Sequence, residues 1–146
     1  MPSFSQAALD KLSTCHEDLQ KVMLEAIKHF DFTITYGART VAQQQALYAQ
    51  GRTTPGKIVT WVDGVNKKSN HNYIPSRAVD VAPWPIDWKD RESFIYLAGY
   101  IMAIADQMYA NGTIKHKVRW GNDWNGNKRT KDEKNADAPH FEIVVV

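Results

Sequence analysis

Two histidines and two aspartates stand where they could share one ion: His71 and Asp80 in the middle of the chain, Asp137 and His140 near its end. Two imidazoles and one carboxylate leave a bound zinc ion with an open coordination position, and a further carboxylate beside it can take a proton from water. Asp137, three residues before His140, is spaced for that second task. Ligands plus a base would make hydrolytic chemistry. Spacing alone leaves a plainer reading open, because a His near an Asp commonly forms a hydrogen-bonded pair or a capping contact. Asp137 could equally be a turn former ahead of Pro139.

The elements that must position these residues follow from periodicity. From Ser5 to Phe30, apolar residues recur every three or four positions, as two amphipathic helices require, with Ser13 or Thr14 as a cap for the second. Phe32 to Tyr36 alternates and is β-branched, which predicts a short strand ended by Gly37. A helix is expected over Val41 to Gln50, then turn chemistry from Gly51 to Gly56, a short apolar run from Ile58 to Val62 and a polar stretch from Asp63 to Asn72. Arg77 to Ala82 reads as a strand halted by Pro83 and Pro85, with Asp80 on one face and Val79 and Val81 on the other. The longest helix runs from about Asp90 to Asn111, capped by Asp90 and stopped by Asn111-Gly112. Val118 to Trp120 is a brief strand, Gly121 to Ala136 a polar loop and His140 to Val146 a terminal strand. This order predicts an α+β domain with a small, mainly antiparallel sheet packed against helices.

At 146 residues with one cysteine, the chain is expected to be a single domain over 1–146 that needs no disulfide, and Cys15 alone cannot build a thiolate zinc site. A net charge of +2 is too small to call for nucleic acid. The bunching of Lys and Arg between Lys115 and Lys134 reads as a solvated loop, with weak attraction to an anionic polymer as the alternative. The N-terminus has no basic and apolar leader pattern, and no run reaches membrane-spanning length, so neither a signal peptide nor stable membrane association is expected. His16, His29 and His116 are given structural roles only. Among the tryptophans, Trp84 and Trp124 are the candidates to line a cleft.

Four ordered motifs carry a resemblance. Gly37-x-Arg39-Thr40 with Gln44-Gln45 and Gly51-Arg52-Thr53, Ser69-x-His71 with Ala78-x-Asp80, Trp120-Gly121-x-Asp123-Trp124, and Asp137-x-Pro139-His140-Phe141-Glu142 together resemble the zinc D,D-carboxypeptidase and L-alanyl-D-glutamate endopeptidase family. That family includes the VanX/VanY-type dipeptidases and many bacteriophage endolysins, and the resemblance covers roughly residues 30 to 144.

The resemblance implies a hedgehog/D,D-peptidase-like zinc fold, with Zn2+ bound by His71, Asp80 and His140. It also implies Asp137 as general base and Arg39 near the oxyanion, with Ser69 and Glu142 as supporting residues. Its substrate would be the peptide stem of peptidoglycan, cut between L-alanine and D-glutamate by a monomer without a separate wall-binding domain. An endolysin of this kind would accumulate in the host cytoplasm and reach the periplasm and wall at lysis. A D,D-carboxypeptidase on the same scaffold, or a non-catalytic zinc-binding domain, are the alternatives. One departure stands out: eight residues separate His71 from Asp80, more than in the family pattern, and Ser76 stands where the pattern has glycine. The extra length falls around Ile74-Pro75 and could displace His71.

Overall fold

The strand that carries Asp80 is central, and everything else is arranged by which of its faces a residue joins. In the computed structural model, which describes residues 2–133 and 136–145, four strands form one sheet: β1 (Phe32–Tyr36), β2 (Ala78–Pro83), β3 (Val118–Trp120) and β4 (His140–Ile143). Their spatial order is β1-β2-β4-β3, and every pairing is antiparallel. The expected α+β architecture is what the chain adopts.

Successive residues of a strand point to opposite faces. Val79, Val81, Phe141 and Ile143 therefore enter the hydrophobic core together with Ile34, Val118 and Trp120. Asp80, His140 and Glu142, also buried, occupy the alternate positions. The core face is covered by helices α1 (Gln6–Leu12), α2 (Glu17–Ala26) and α4 (Arg91–Ala110). On α4 the core-facing residues include Phe94, Leu97 and Ile101, Asp90 caps the helix by accepting from the Ser93 N–H, and Asn111 closes it. Replacing a fully buried Ile101 by alanine would cost about 2–5 kcal/mol through lost transfer energy and the cavity left behind.

Three boundaries differ from expectation. Helix α2 is capped by His16, whose Nδ1 accepts the Asp18 N–H. Ser13 instead ends α1, and the Thr14 hydroxyl is taken up by the Lys11 carbonyl and the Ala38 N–H. Strand β2 includes Pro83, which pairs with Phe32 at the strand's end where a missing donor costs little. β4 stops at Ile143; Val146, where the terminal strand was expected to finish, lies outside the described residues. No described helix is long and apolar enough to cross a membrane.

Candidate metal centre

His71, Asp80 and His140 come from a loop and two neighbouring strands, and the fold brings them to one point. Asp80 and His140 are direct partners across β2 and β4, so their side chains leave the same face of the sheet. His140 Nδ1 lies 3.1 Å from Asp80 Oδ1, and His71 Nε2 lies 3.3 Å from the same oxygen. His71 is in a single 3-10 turn, Asn70–Asn72, whose start is held by the Ser69 hydroxyl accepting the His71 N–H at 3.2 Å. The longer segment before β2 does not displace it: Ile74 is 91% exposed, so the extra residues bulge into solvent. Ser76 is tied back through Ser76 N to the Thr14 carbonyl and through its own carbonyl to His16 N.

Each imidazole is oriented by its other nitrogen. His71 Nδ1 donates to the Gly37 carbonyl at 2.7 Å, which leaves Nε2 with its lone pair facing Asp80. That Nε2 is buried and has no hydrogen-bond partner. A buried polar atom is costly without a partner, so an orphan nitrogen aimed between a second imidazole and a carboxylate fits a cation. His140 Nε2 meets Glu142 Oε1 at 2.7 Å, and Glu142 Oε2 accepts from Arg119 at 2.7 Å. Such outer partners fix tautomer and ring orientation in metal sites.

The charges are strongly coupled. Burial alone would raise the Asp80 carboxyl, but the adjacent His140 and His71 rings outweigh it and hold the group far below the usual carboxylate range. Burial disfavours the His140 cation, yet Asp80 and Glu142 push its pKa up to about 10. Glu142 is likewise drawn down to about 2 by His140 and Arg119 against the opposing effect of burial. A cation at the shared point would replace the proton on His140 Nδ1 and meet the negative charge now balanced by it.

Asp137 sits at the mouth with its side chain 50% exposed, Oδ2 being 3.8 Å from His140 Nδ1. Its pKa is raised by partial burial and by the nearby Asp80 charge. Arg39 reaches the other side: one terminal nitrogen lies 3.5 Å from Asp80 Oδ2 and the other donates to Gln44 Oε1 at 2.9 Å. Gln44 is fully buried and also donates to the Val62 carbonyl. It lies on α3 (Val41–Ala49), which starts at a reciprocal cap between Thr40 and Gln43.

Two glycines permit these approaches. A Cβ on Gly37 would sit 2.3 Å from both the Lys11 carbonyl and Thr14 Oγ1, and one on Gly121 would sit 2.2 Å from the Asp137 carbonyl and 3.0 Å from His140 Cβ. Gly121 also accepts the Asp137 N–H and donates to the His140 carbonyl.

A family model for the phage L-alanyl-D-glutamate peptidases matches residues 2–144. The chain belongs to that family. Among curated relatives of this phage peptidase, the L-alanyl-D-glutamate peptidase of Escherichia phage T5 is 31% identical over 97% of both chains. The peptidoglycan L-alanyl-D-glutamate endopeptidase CwlK of Bacillus subtilis is 32% identical over 82% of this chain and 64% of its own length. Among solved structures, the fold resembles the Serratia marcescens L-Ala D-Glu endopeptidase ChiX, with a TM-score of 0.66 at 21% identity, covering 97% of this chain and 90% of that one.

All five residues singled out from the sequence of this family member, Arg39, His71, Asp80, Asp137 and His140, therefore meet in one cleft. Trp124 joins them, its ring 5.5 Å from His140. Trp84 does not: it follows β2 by a residue, about 13 Å of strand beyond Asp80, beside Pro2, Asp31 and Thr33. Arg119 and Gln44 were given no role from sequence. Arg119 could not be found without the sheet order that sets it opposite Glu142, whereas Gln44 was visible as part of a motif without its purpose. Within the basic bunch, Lys117 lies over Tyr109, Lys128 faces Asp106 and Arg119 turns inward to Glu142. Lys134 lies outside the described residues.

Proposed function

We propose that this phage peptidase is a zinc-dependent endolysin whose single domain, 1–146, hydrolyses the L-alanyl-D-glutamate bond of the peptidoglycan stem. The observation that carries the reading is the orphaned His71 Nε2, aimed at the carboxylate that His140 shares, in a chain of this family. His71 Nε2, Asp80 Oδ1 and His140 Nδ1 are the atoms that would hold zinc. The ion supplies Lewis acidity there, toward the scissile carbonyl and toward a water molecule.

The remaining work falls to the protein. Asp137, beside the ligands yet half exposed, accepts a proton from the attacking water and returns it to the D-glutamate amine as the C–N bond breaks. Its raised pKa direction suits a group that must both take and give a proton. Arg39, held by Gln44, offers a fixed cation where the carbonyl oxygen gains charge. Glu142 and Ser69 keep the two imidazoles in orientation. The enzyme acts as a monomer, is made in the host cytoplasm and reaches the wall at lysis.

Mass spectrometry of purified peptidoglycan digested by the protein tests this. New C-terminal L-alanine and N-terminal D-glutamate ends, lost with chelator and restored by zinc, are the expected result. Release of D-alanine instead would assign a D,D-carboxypeptidase, and an unaltered wall would leave a non-catalytic zinc-binding domain.

A further inference from the structure

His16, Asp18 and His116 form a second cluster of two imidazoles and a carboxylate, sharing no residue with the cleft, and their candidate ligand atoms all lie within 4.8 Å of one another. The two segments are nearly a hundred residues apart: Asp18 Oδ2 accepts from the backbone N–H of Lys115 and of His116. His116 Nδ1 lies 2.8 Å from that oxygen and His16 Nδ1 lies 4.0 Å from it. Tetrahedral zinc with bonds of about 2.0–2.2 Å puts its ligand atoms roughly 3.3–3.6 Å apart, so the His116 and His16 nitrogens bracket that distance from Asp18 Oδ2 and reach it by side-chain shifts of about half an ångström. The two rings are packed edge to face with centroids 4.9 Å apart.

The protonation pattern is already close to that of a ligand set. His16 Nδ1 accepts the Asp18 N–H at 3.0 Å, so it carries no proton, and an ion bound there takes over that lone pair and displaces the capping bond. Asp18, whose carboxyl is held below its usual range against burial by His116 and neighbouring N–H groups, is an acceptor only, so His116 Nδ1 supplies the proton between them. The Asp18 side chain is 1% exposed, while His16 and His116 are 25% and 31% exposed. A buried anion thus lies behind two imidazoles that solvent can reach.

We propose that His16, Asp18 and His116 bind a second divalent transition-metal ion of the zinc type, which pins the first turn of α2 to the turn entering β3. Binding transfers the His116 Nδ1 proton to solvent, and the ion then bridges groups that a hydrogen bond joins in its absence. Solvent completes the coordination. The ion's role is to hold together two segments far apart in the chain, independently of the peptidase reading.

Equilibrium dialysis of metal-stripped protein against Zn2+, with elemental analysis of the retained metal, tests the proposal. Wild type is expected to hold two ions per chain, His116→Ala and His16→Ala one, and His71→Ala one. In the His71→Ala background, a hundredfold excess of Zn2+ over its Kd should raise Tm by roughly 5–10 °C. His116→Gln, which retains a donor toward Asp18, replaces His116→Ala if the latter does not fold, as judged by circular dichroism. One ion in wild type with none in His71→Ala overturns the proposal, as does a full two ions in the folded His16 and His116 variants. One ion in wild type, kept in His71→Ala and lost in His116→Ala, supports this site while removing zinc from the cleft.

Discussion

Asp80 and His140 face each other across β2 and β4, with Oδ1 and Nδ1 3.1 Å apart. Their spacing is set by the backbone ladder, so two of the three candidate ligands are fixed by sheet register and only His71 depends on a loop. Loss of Asp80 would leave two imidazoles with no anion between them. Asp80→Ala is therefore expected to abolish tight zinc binding and peptidase activity together, as measured by metal content and by peptidoglycan digestion. Full activity with metal lost would overturn the assignment.

Asp137→Ala should separate chemistry from metal binding. Removing the proposed general base is expected to lower turnover by roughly 10²–10⁴-fold, with zinc content at the wild-type level, since Asp137 is proposed as base and not as ligand. Loss of the metal along with the activity would instead make Asp137 a ligand.

Glu142 does its work through His140. The carboxylate accepts from His140 Nε2 at 2.7 Å and is itself held by Arg119, so Glu142→Ala frees the ring to turn. Zinc affinity is expected to fall about 10–100-fold, with Glu142→Gln losing less because its amide oxygen can still accept. A competition titration with a chromogenic chelator measures both.

Gly121→Ala puts a methyl group where the Asp137 carbonyl and His140 Cβ now lie. The segment carrying Asp137 and His140 must move, and a misplacement of about 1 Å can cost 100-fold in rate. A drop of that order in kcat, with the variant still folded by circular dichroism, is the expected outcome. Unchanged kcat would mean that the strand can absorb the methyl group.

Asp63 is expected to make the loop behind Gln44 sensitive to acid. Its exposed carboxylate accepts the N–H groups of Lys67, Val65 and Asn66, which lowers its pKa to about 2. The ordinary value is about 3.9, so the folded group is depressed, and the loop's stabilisation is fully present above about pH 4. It is lost as pH falls through about 2. Carboxyl NMR titration of Asp63, with amide exchange at Val65 and Lys67, should follow that course, and a midpoint at the ordinary value would show the loop turn to be unformed.

Much of the fold was legible because local patterns carry local physics. Helix α4 was bounded correctly from both ends, since Asp90 and Asn111-Gly112 act on the backbone beside them. The cap of α2 was assigned to Ser13 or Thr14, because composition favours hydroxyls there, whereas contacts from Ala38 and Lys11 occupy Thr14 and leave the task to His16.

By itself, the sequence determined the alternation that puts Asp80 on the face opposite Val79 and Val81, and the motif order that marks His71, Asp80, Asp137, His140 and Arg39. Tertiary structure decided what no spacing encodes. The strand order β1-β2-β4-β3 brings His140 beside Asp80 and Arg119 beside Glu142, and the exposed bulge at Ile74 lets a lengthened loop keep His71 in place. It also joined His16 and His116 through Asp18, residues whose separate sequence contexts call for nothing more than capping and turns. Local signals are short-ranged, while a candidate metal site is built from side chains that only the assembled sheet and its packed helices bring close together.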